Sequence, residues 1–267
     1  MRTARRLALC VCVLCVVPHA RAIDDIRLAT TTSTENSGLL KVILPVFEAK
    51  YGGKVRVVSV GTGAALKLGE NGDADVVLVH ARPLEDRFMA AGFGSVRKDV
   101  MYNDFIIVGP GSDPAGVRGM KDVIAAMKKI SASGAKFISR GDRSGTHAME
   151  NDYWKSAAVD AKGAWYVSAG QGMGQVLTMA AQLAGYTLTD RATYAAYKDK
   201  TGLVTLVEGD PKMFNPYGII AVNPQRHPTA NYQGAMAMVN WMIAPEGQKT
   251  IADFKINGVQ MFFPGAR

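Results

Sequence analysis

The chain of 267 residues carries 31 Lys and Arg against 23 Asp and Glu, a formal charge of +8, with 48% of its residues apolar. That is enough chain for one large domain or two ordinary ones. The basic residues are dispersed rather than run together, which excludes a nucleic-acid-binding stripe.

The chain opens with Met1-Arg2-Thr3-Ala4-Arg5-Arg6, then the apolar stretch Leu7 to Val17, then Pro18-His19-Ala20-Arg21-Ala22. This order of basic, apolar and small residues predicts a secretory signal over 1–22, cut after Ala22, and a periplasmic protein. The apolar stretch is about half of the roughly 20 residues a membrane span needs, and no later segment supplies one, so no anchor is expected. Cys10, Cys12 and Cys15 all fall in this leader. The mature chain is therefore expected to hold neither a disulfide nor a cysteine metal site. Leu9 and Leu14 stand before Cys10 and Cys15 where a lipid-attachment signal needs a small residue, which favours soluble export. Without Arg2, Arg5, Arg6 and Arg21 the basic residues fall from 31 to 27, leaving a net charge of about +4. A weak positive field of that kind favours an anionic ligand.

Strand and helix patterns then alternate: strand Ile26 to Thr30, helix Asn36 to Lys50, strand Lys54 to Val60, a short helix from Ala64, and the apolar parallel strand Asp75 to Val79. Tyr102 to Gly109 is a further strand, running into the turn-rich boundary Pro110 to Pro114. The alternation restarts with helix Lys121 to Ile130, strand Lys136 to Ser139, helix Thr146 to Ala157, strand Ala164 to Ser168 and helix Gly174 to Ala184. A punctuated segment, Glu208 to Pro216, precedes the strand Tyr217 to Val222, and Tyr232 to Phe254 has amphipathic helical spacing. The pattern predicts an α/β fold of two lobes, the first rebuilt by the chain's end. We expect lobe one over 23–109 and 216–267, and lobe two over 110–215.

Ligands of open α/β sheets bind where strands end and helices begin, and four such junctions stand out. Thr30 to Thr34 presents five consecutive hydroxyl residues, where one would suffice as a helix cap. Gly61-Thr62-Gly63 permits close backbone approach but lacks the Lys-Ser/Thr of a phosphate-binding loop. Ser139 to His147 (SRGDRSGTH) offers a cation, hydroxyls and a glycine N–H at one helix start, donors suited to an acceptor-only oxyanion; Arg140 could also pair with Asp142 to brace the loop. Gly170 to Gly174 (GQGMG) reads equally as a ligand-facing loop or as loop packing. His80, His147 and His227 have no metal-ligand spacing and are expected in surface or capping roles. Trp154, Trp165 and Trp241 are expected in the core.

Taken together, TTTS at 30–33, GTGAALKLGE at 61–70, DVVLVH at 75–80, MYNDFIIVGP at 101–110, SRGDRSGTH at 139–147, GQGMG at 170–174 and EGDPKMFNPYGIIAVNP at 208–224 resemble the tungstate-binding proteins of tungstate ABC transporters, a branch of the type II periplasmic binding proteins. The resemblance covers nearly all of the chain after the leader. It implies two lobes, each a sheet flanked by helices, on a two-strand hinge. It places tungstate or molybdate in the cleft between them and makes an inner-membrane ABC permease the partner of a monomer. Thr31, Thr32, Ser33, Gly61 and Thr62 would then donate from lobe one, and Arg140, Ser144, Gly145 and Thr146 from lobe two. No cofactor, cation site or enzymatic activity is implied. Ala81-Arg82 stand where a commonly acidic turn follows the third strand, and Arg143 replaces a smaller or acidic residue.

Phosphate-binding relatives share the third loop's layout, so phosphate and sulfate remain alternative ligands at this level. A phosphate selector places an acid after the strand that here ends in His80-Ala81-Arg82, to accept the proton of hydrogen phosphate. Its absence favours a fully deprotonated anion, and the cage is expected to hold one guanidinium and no carboxylate in its wall. An exported hydrolase with Ser144 as nucleophile and His147 as base is the reading from a different class, weakened by spacing that fits no nucleophile elbow.

Overall fold

The computed structural model describes residues 24–266, so the expected leader, its cut and all three cysteines lie outside the described residues. The first unit runs β1 (Ile26–Thr31), α1 (Thr32–Asn36), α2 (Leu40–Tyr51), β2 (Val55–Val60), α3 (Thr62–Asn71), β3 (Val76–Val79), α4 (Arg82–Ala90) and β4 (Gly94–Gly109). The second comprises α5 (Val123–Ser133), β5 (Phe137–Ser139), α6 (Gly145–Ser156), β6 (Tyr166–Ser168), α7 (Met173–Gln182), β7 (Thr187–Asp190), α8 (Arg191–Thr201) and β8 (Val204–Val207). The chain returns through β9 (Phe214–Val222), α9 (Tyr232–Ile243), α10 (Pro245–Asp253), β10 (Lys255–Ile256), β11 (Val259–Gln260) and β12 (Phe263–Pro264).

The main sheet has the order β12-β4-β9-β3-β1-β2. Parallel strands β2, β1 and β3 carry Val57, Leu28 and Val76 in one register row. β9 and β4 then add antiparallel. β4 is long enough to serve both lobes. Its residues from Gly94 to Asp104 pair with β9, while Phe105 to Gly109 pair with β7 and β8. The chain thus crosses between lobes twice, at Asn103–Asp104 and at Phe214–Asn215, the two-strand hinge of a type II binding protein.

Alternation along β4 explains how one strand serves both layers of the second lobe. Phe105 and Ile107 join the core that contains Phe137, Trp154 and Tyr186. Ile106 and Val108 point the other way, into the core with Met173, Val176 and Leu177 of α7. In the first lobe, Leu28, Val76 and Ile219 pack beneath α2 and α9, and Ala29, Val77 and Ile220 pack beneath α3 and Phe88 of α4. Trp154 and Trp241 are buried, as expected of core residues.

Two long helical stretches are each divided. The expected helix Asn36 to Lys50 splits at Gly38, whose φ of 84° lies in the left-handed region, so α1 is a separate turn. Tyr232 to Phe254 breaks at Ala244-Pro245, because proline drives the preceding residue into extended geometry (ψ 159°). Gly247 closes that corner: a Cβ there would lie 2.1 Å from the Trp241 carbonyl oxygen.

Candidate functional site

The loops before α1, α3, α6 and α7 meet in the cleft between the lobes. The Thr31 hydroxyl caps α1, accepting from the Thr34 N–H at 3.2 Å, and lies 2.7 Å from the Thr34 hydroxyl. Ser144 caps α6, its hydroxyl accepting from the His147 N–H at 3.3 Å. The first N–H groups of a helix have no intrahelical partner, and the caps satisfy one in each of these two helices.

Arg140 holds the centre. Its side chain is 1% exposed. One Nη2 hydrogen bond crosses to the Thr32 hydroxyl of the opposite lobe at 3.0 Å, and Nε reaches the Gln171 carbonyl at 3.3 Å. Arg140 also pairs with Asp142 through Nη2. Among the described residues, Arg140 Nη1 is buried without a hydrogen-bond partner, and so is the Thr146 hydroxyl. A second crossing contact runs from the Gly145 N–H to the Thr62 hydroxyl, 3.0 Å. The approach is tight at Gly145 and close at Gly61. A Cβ on Gly145 would stand 3.2 Å from both the His80 carbonyl and the Thr62 hydroxyl, and one on Gly61 would stand 3.4 Å from the Asp142 carbonyl.

The expectation of a wall without a carboxylate is corrected by Asp142. Its acid sits beside Arg140, with one oxygen taken by the Arg140 guanidinium and the other by the Ser144 N–H at 3.1 Å. Both oxygens are committed to loop donors, so Arg140 braces the loop through Nη2 while its Nη1 has no partner among the described residues. Below the loop, Glu150 is buried, and its Oε1 accepts from the Trp154 indole at 3.1 Å and from the Tyr166 hydroxyl at 2.8 Å. Burial pushes its pKa up to about 7, against the opposing pull of Ser139, Tyr166, Trp154 and the Arg140 backbone.

His80 is neither a surface nor a capping residue. It is buried at the end of β3, stacked on Tyr217 at 4.7 Å between ring centres, with Nε2 3.2 Å from the Ser33 hydroxyl. Burial lowers its pKa to about 4, assisted by the positive charge of Arg140 and opposed by a hydrogen bond with Asn215. The imidazole at the strand end where a phosphate selector carries an acid is therefore neutral.

A model of the PBP superfamily domain matches residues 16–246 of the chain. The structure of a tungstate ABC transporter protein from Geobacter sulfurreducens is 59% identical, with a TM-score of 0.81, over 86% of this chain and 99% of that one. The tungstate-binding protein TupA from Desulfovibrio alaskensis superposes with a TM-score of 0.78 at 49% identity, over 92% of this chain and 100% of that one. TupA from Peptoclostridium acidaminophilum is 46% identical over 254 residues, 94% of this chain and 89% of the relative. The chain belongs to the tungstate-binding protein family.

In this family member the nine residues expected as donors lie on the loops that meet between the lobes. Thr31, Thr32, Ser33, Gly61 and Thr62 come from the first lobe, and Arg140, Ser144, Gly145 and Thr146 from the second. Within that set the roles differ: Thr31 and Ser144 are engaged as caps, Thr32 and Thr62 as crossing partners, and Gly61 and Gly145 as points of close approach. Gly170 to Gly174 supports the centre, since the Gln171 carbonyl accepts from Arg140 and the Gln171 N–H donates to the Arg140 carbonyl at 3.2 Å. Sequence reasoning missed Asn215, Asn103 and Asp190 behind the cleft, the first two because each is a polar residue beside an apolar strand and the third because its strand reads as a polar turn, and it misjudged the role of His80.

Proposed function

We propose that the protein captures tungstate, with molybdate as a near-equivalent, in the interlobe cleft of the periplasm and delivers it to an inner-membrane ABC permease as a monomer. The expected lobe bounds at 109/110 and 215/216 move to the crossing points, with lobe one over 24–103 and 215–266 and lobe two over 104–214, because Phe105 to Gly109 pair and pack in the second lobe. The observation that carries this reading is the buried Nη1 of Arg140, a charged donor without a protein acceptor, beside the equally unpaired Thr146 hydroxyl. Leaving a buried polar group unpaired costs about 1–3 kcal/mol, and more for a charged one, and an oxyanion oxygen relieves that cost. Thr32 and Thr62 stand on the other lobe, so an anion held by both sets of donors favours the closed form.

The anion is distinguished from hydrogen phosphate by the residue after β3. A neutral, buried His80 stands there, and both oxygens of Asp142 are occupied by donors. Neither arrangement supplies a free carboxylate to take a phosphate proton. Binding rather than catalysis also fits the Ser144–His147 pair. Ser144 Oγ accepts the His147 backbone N–H, and His147 Nδ1 accepts from the Arg143 N–H at 3.0 Å, which spends both on loop structure. No cofactor enters this reading.

Calorimetric titration of ligand-stripped protein with tungstate, molybdate, sulfate and phosphate tests it. Tungstate and molybdate are expected to bind most tightly, and Arg140→Gln to weaken tungstate at least tenfold with a retained thermal transition. Phosphate binding as tight as tungstate, or an unchanged affinity in Arg140→Gln, would remove the reading.

A further inference from the structure

A chain of side-chain hydrogen bonds leaves the cleft through the hinge, and every link has a fixed direction. It begins at Asp190, fully buried at the cap of α8, where Oδ1 accepts from the Thr193 N–H at 2.9 Å. The Asn103 amide nitrogen donates to the same oxygen at 3.3 Å. Because Oδ1 already receives the Thr193 N–H, it stays an acceptor whether the acid is ionised or carries a proton on Oδ2. Asn103 must then turn its carbonyl oxygen to Asn215, whose amide nitrogen donates to it at 2.7 Å. That commits the Asn215 carbonyl oxygen to His80 Nδ1, 3.0 Å away. An oxygen there can only accept, so Nδ1 carries the imidazole proton and the neutral ring leaves Nε2 bare. The bare nitrogen faces the Ser33 hydroxyl at 3.2 Å and accepts its hydrogen bond.

We propose that Asp190 is a positioning residue for anion capture: through Asn103, Asn215 and His80 it turns the hydroxyl proton of Ser33 away from the cleft. Ser33 then meets the anion through its backbone rather than as a hydroxyl donor, and the Thr31 hydroxyl, 3.2 Å from Ser33 Oγ, completes that oxygen's shell. The chain passes through both crossing strands, with Asn103 on β4 and Asn215 on β9 at the hinge itself. It is also tied to the cleft from the second lobe, because Thr193, whose N–H Asp190 holds, donates its hydroxyl to the Ser33 carbonyl at 3.0 Å. Opening the hinge and releasing the orientation of Ser33 are thereby linked events. Burial supports the neutral state of the ring on which the chain depends.

The tautomer of His80 is read by nitrogen NMR of protein labelled at histidine nitrogen, first free of ligand and then saturated with tungstate. Only the affinity measurement rests on the tungstate reading; the tautomer does not, so the two can fail separately. The expected result is an Nδ1–H ring in both states. Asp190→Asn keeps an acceptor oxygen for Asn103 and Thr193, and is expected to preserve the tautomer and to hold tungstate affinity within about twofold. Asn103→Ala cuts the chain one link away and leaves the α8 cap intact. It is expected to give a mixed or Nε2–H ring and a change in tungstate affinity of at least threefold. An Nε2–H ring in the unaltered protein, or an unchanged ring in Asn103→Ala, would overturn the proposal. So would an affinity that shifts in Asp190→Asn as much as in Asn103→Ala. Asn215→Ala breaks the next link and gives the same reading should Asn103→Ala not fold.

Discussion

Near the cleft, His80 and Glu150 act on stability in opposite directions, and their cancellation can be broken from either side. His80 has a folded pKa of about 4 against an ordinary value of 6.5. The unfolded chain takes that proton first, so stability contributed by the neutral ring is complete above 6.5 and is lost as pH falls toward 4. Glu150 has a folded pKa of about 7 against an ordinary 4.5. The folded state keeps that proton after the unfolded chain has released it, so stability present below 4.5 is lost as pH rises toward 7. Each window spans about 2.5 pH units, which at about 1.4 kcal/mol per unit corresponds to about 3 kcal/mol. Between pH 4.5 and 6.5 the two slopes oppose each other and the wild-type contribution from this pair is nearly flat.

Replacing either group exposes the other. Glu150→Gln keeps the carbonyl that accepts from Trp154 and Tyr166 and removes the titration, leaving the His80 slope. Relative to the unaltered protein, its Tm is expected to gain roughly 4–9 °C from pH 4.5 to 6.5, since the linkage over that interval is about 2 kcal/mol and about 1 kcal/mol shifts Tm by about 2–4 °C in a chain of this size. His80→Gln is expected to show the reverse, a relative Tm that falls over the same interval. Scanning calorimetry on the three proteins in ligand-free buffer checks this. Slope changes of the same sign in the two variants, each taken against the unaltered protein, would refute the assignment of opposed titrations.

Three further outcomes follow from the cleft and its supports. Gly145→Val places its branches against the His80 carbonyl and the Thr62 hydroxyl, and should reduce tungstate affinity more than tenfold in calorimetry while leaving the circular dichroism spectrum unchanged. Thr62→Ala leaves the Gly145 N–H without its acceptor and should weaken binding by about 1 kcal/mol, roughly fivefold, whereas Thr62→Ser should restore it. Gly174→Ala brings a Cβ to 2.3 Å from the Tyr197 hydroxyl; the tip of that part-exposed ring can swing aside and alanine favours the helix, so thermal denaturation should show a change within about 1 kcal/mol.

The parts of this fold written as periodic apolar residues were legible in the sequence. The parallel strand Asp75 to Val79, the return strand from Tyr217 and the two-lobed order follow from runs of Val, Ile and Leu. β7 was not legible because Thr187-Leu188-Thr189-Asp190 reads as a polar turn. In the structure all four residues are buried. Its hidden threonine hydroxyls bond to strand carbonyls and its aspartate caps the next helix, so polar groups are satisfied locally where a pattern of hydrophobicity predicts solvent. α8 and β8 were lost with it. At the site, every donor loop was visible because glycine and hydroxyl residues crowd helix starts. The groups that orient those donors were not, since the contact between His80 and Asn215 joins residues 135 positions apart.

The same long-range assembly explains why the centre tolerates a carboxylate. Burying an isolated guanidinium is costly, and a pair with Asp142 offsets part of that cost while leaving Nη1 unpaired. Had Asp142 turned a free oxygen to the cleft, it would repel a dianion. Instead the Ser144 N–H and Arg140 occupy both oxygens, and the residual field of the loop is that of a cation shared with one acid. The remaining attraction must come from neutral donors at helix starts, which gain strength only when water is excluded. Closure supplies that exclusion, and the Thr32–Arg140 and Thr62–Gly145 contacts show how little space it leaves for solvent. Selectivity then rests on donor placement more than on net charge, which is why a single methyl at Gly145 should cost more affinity than the loss of a surface lysine.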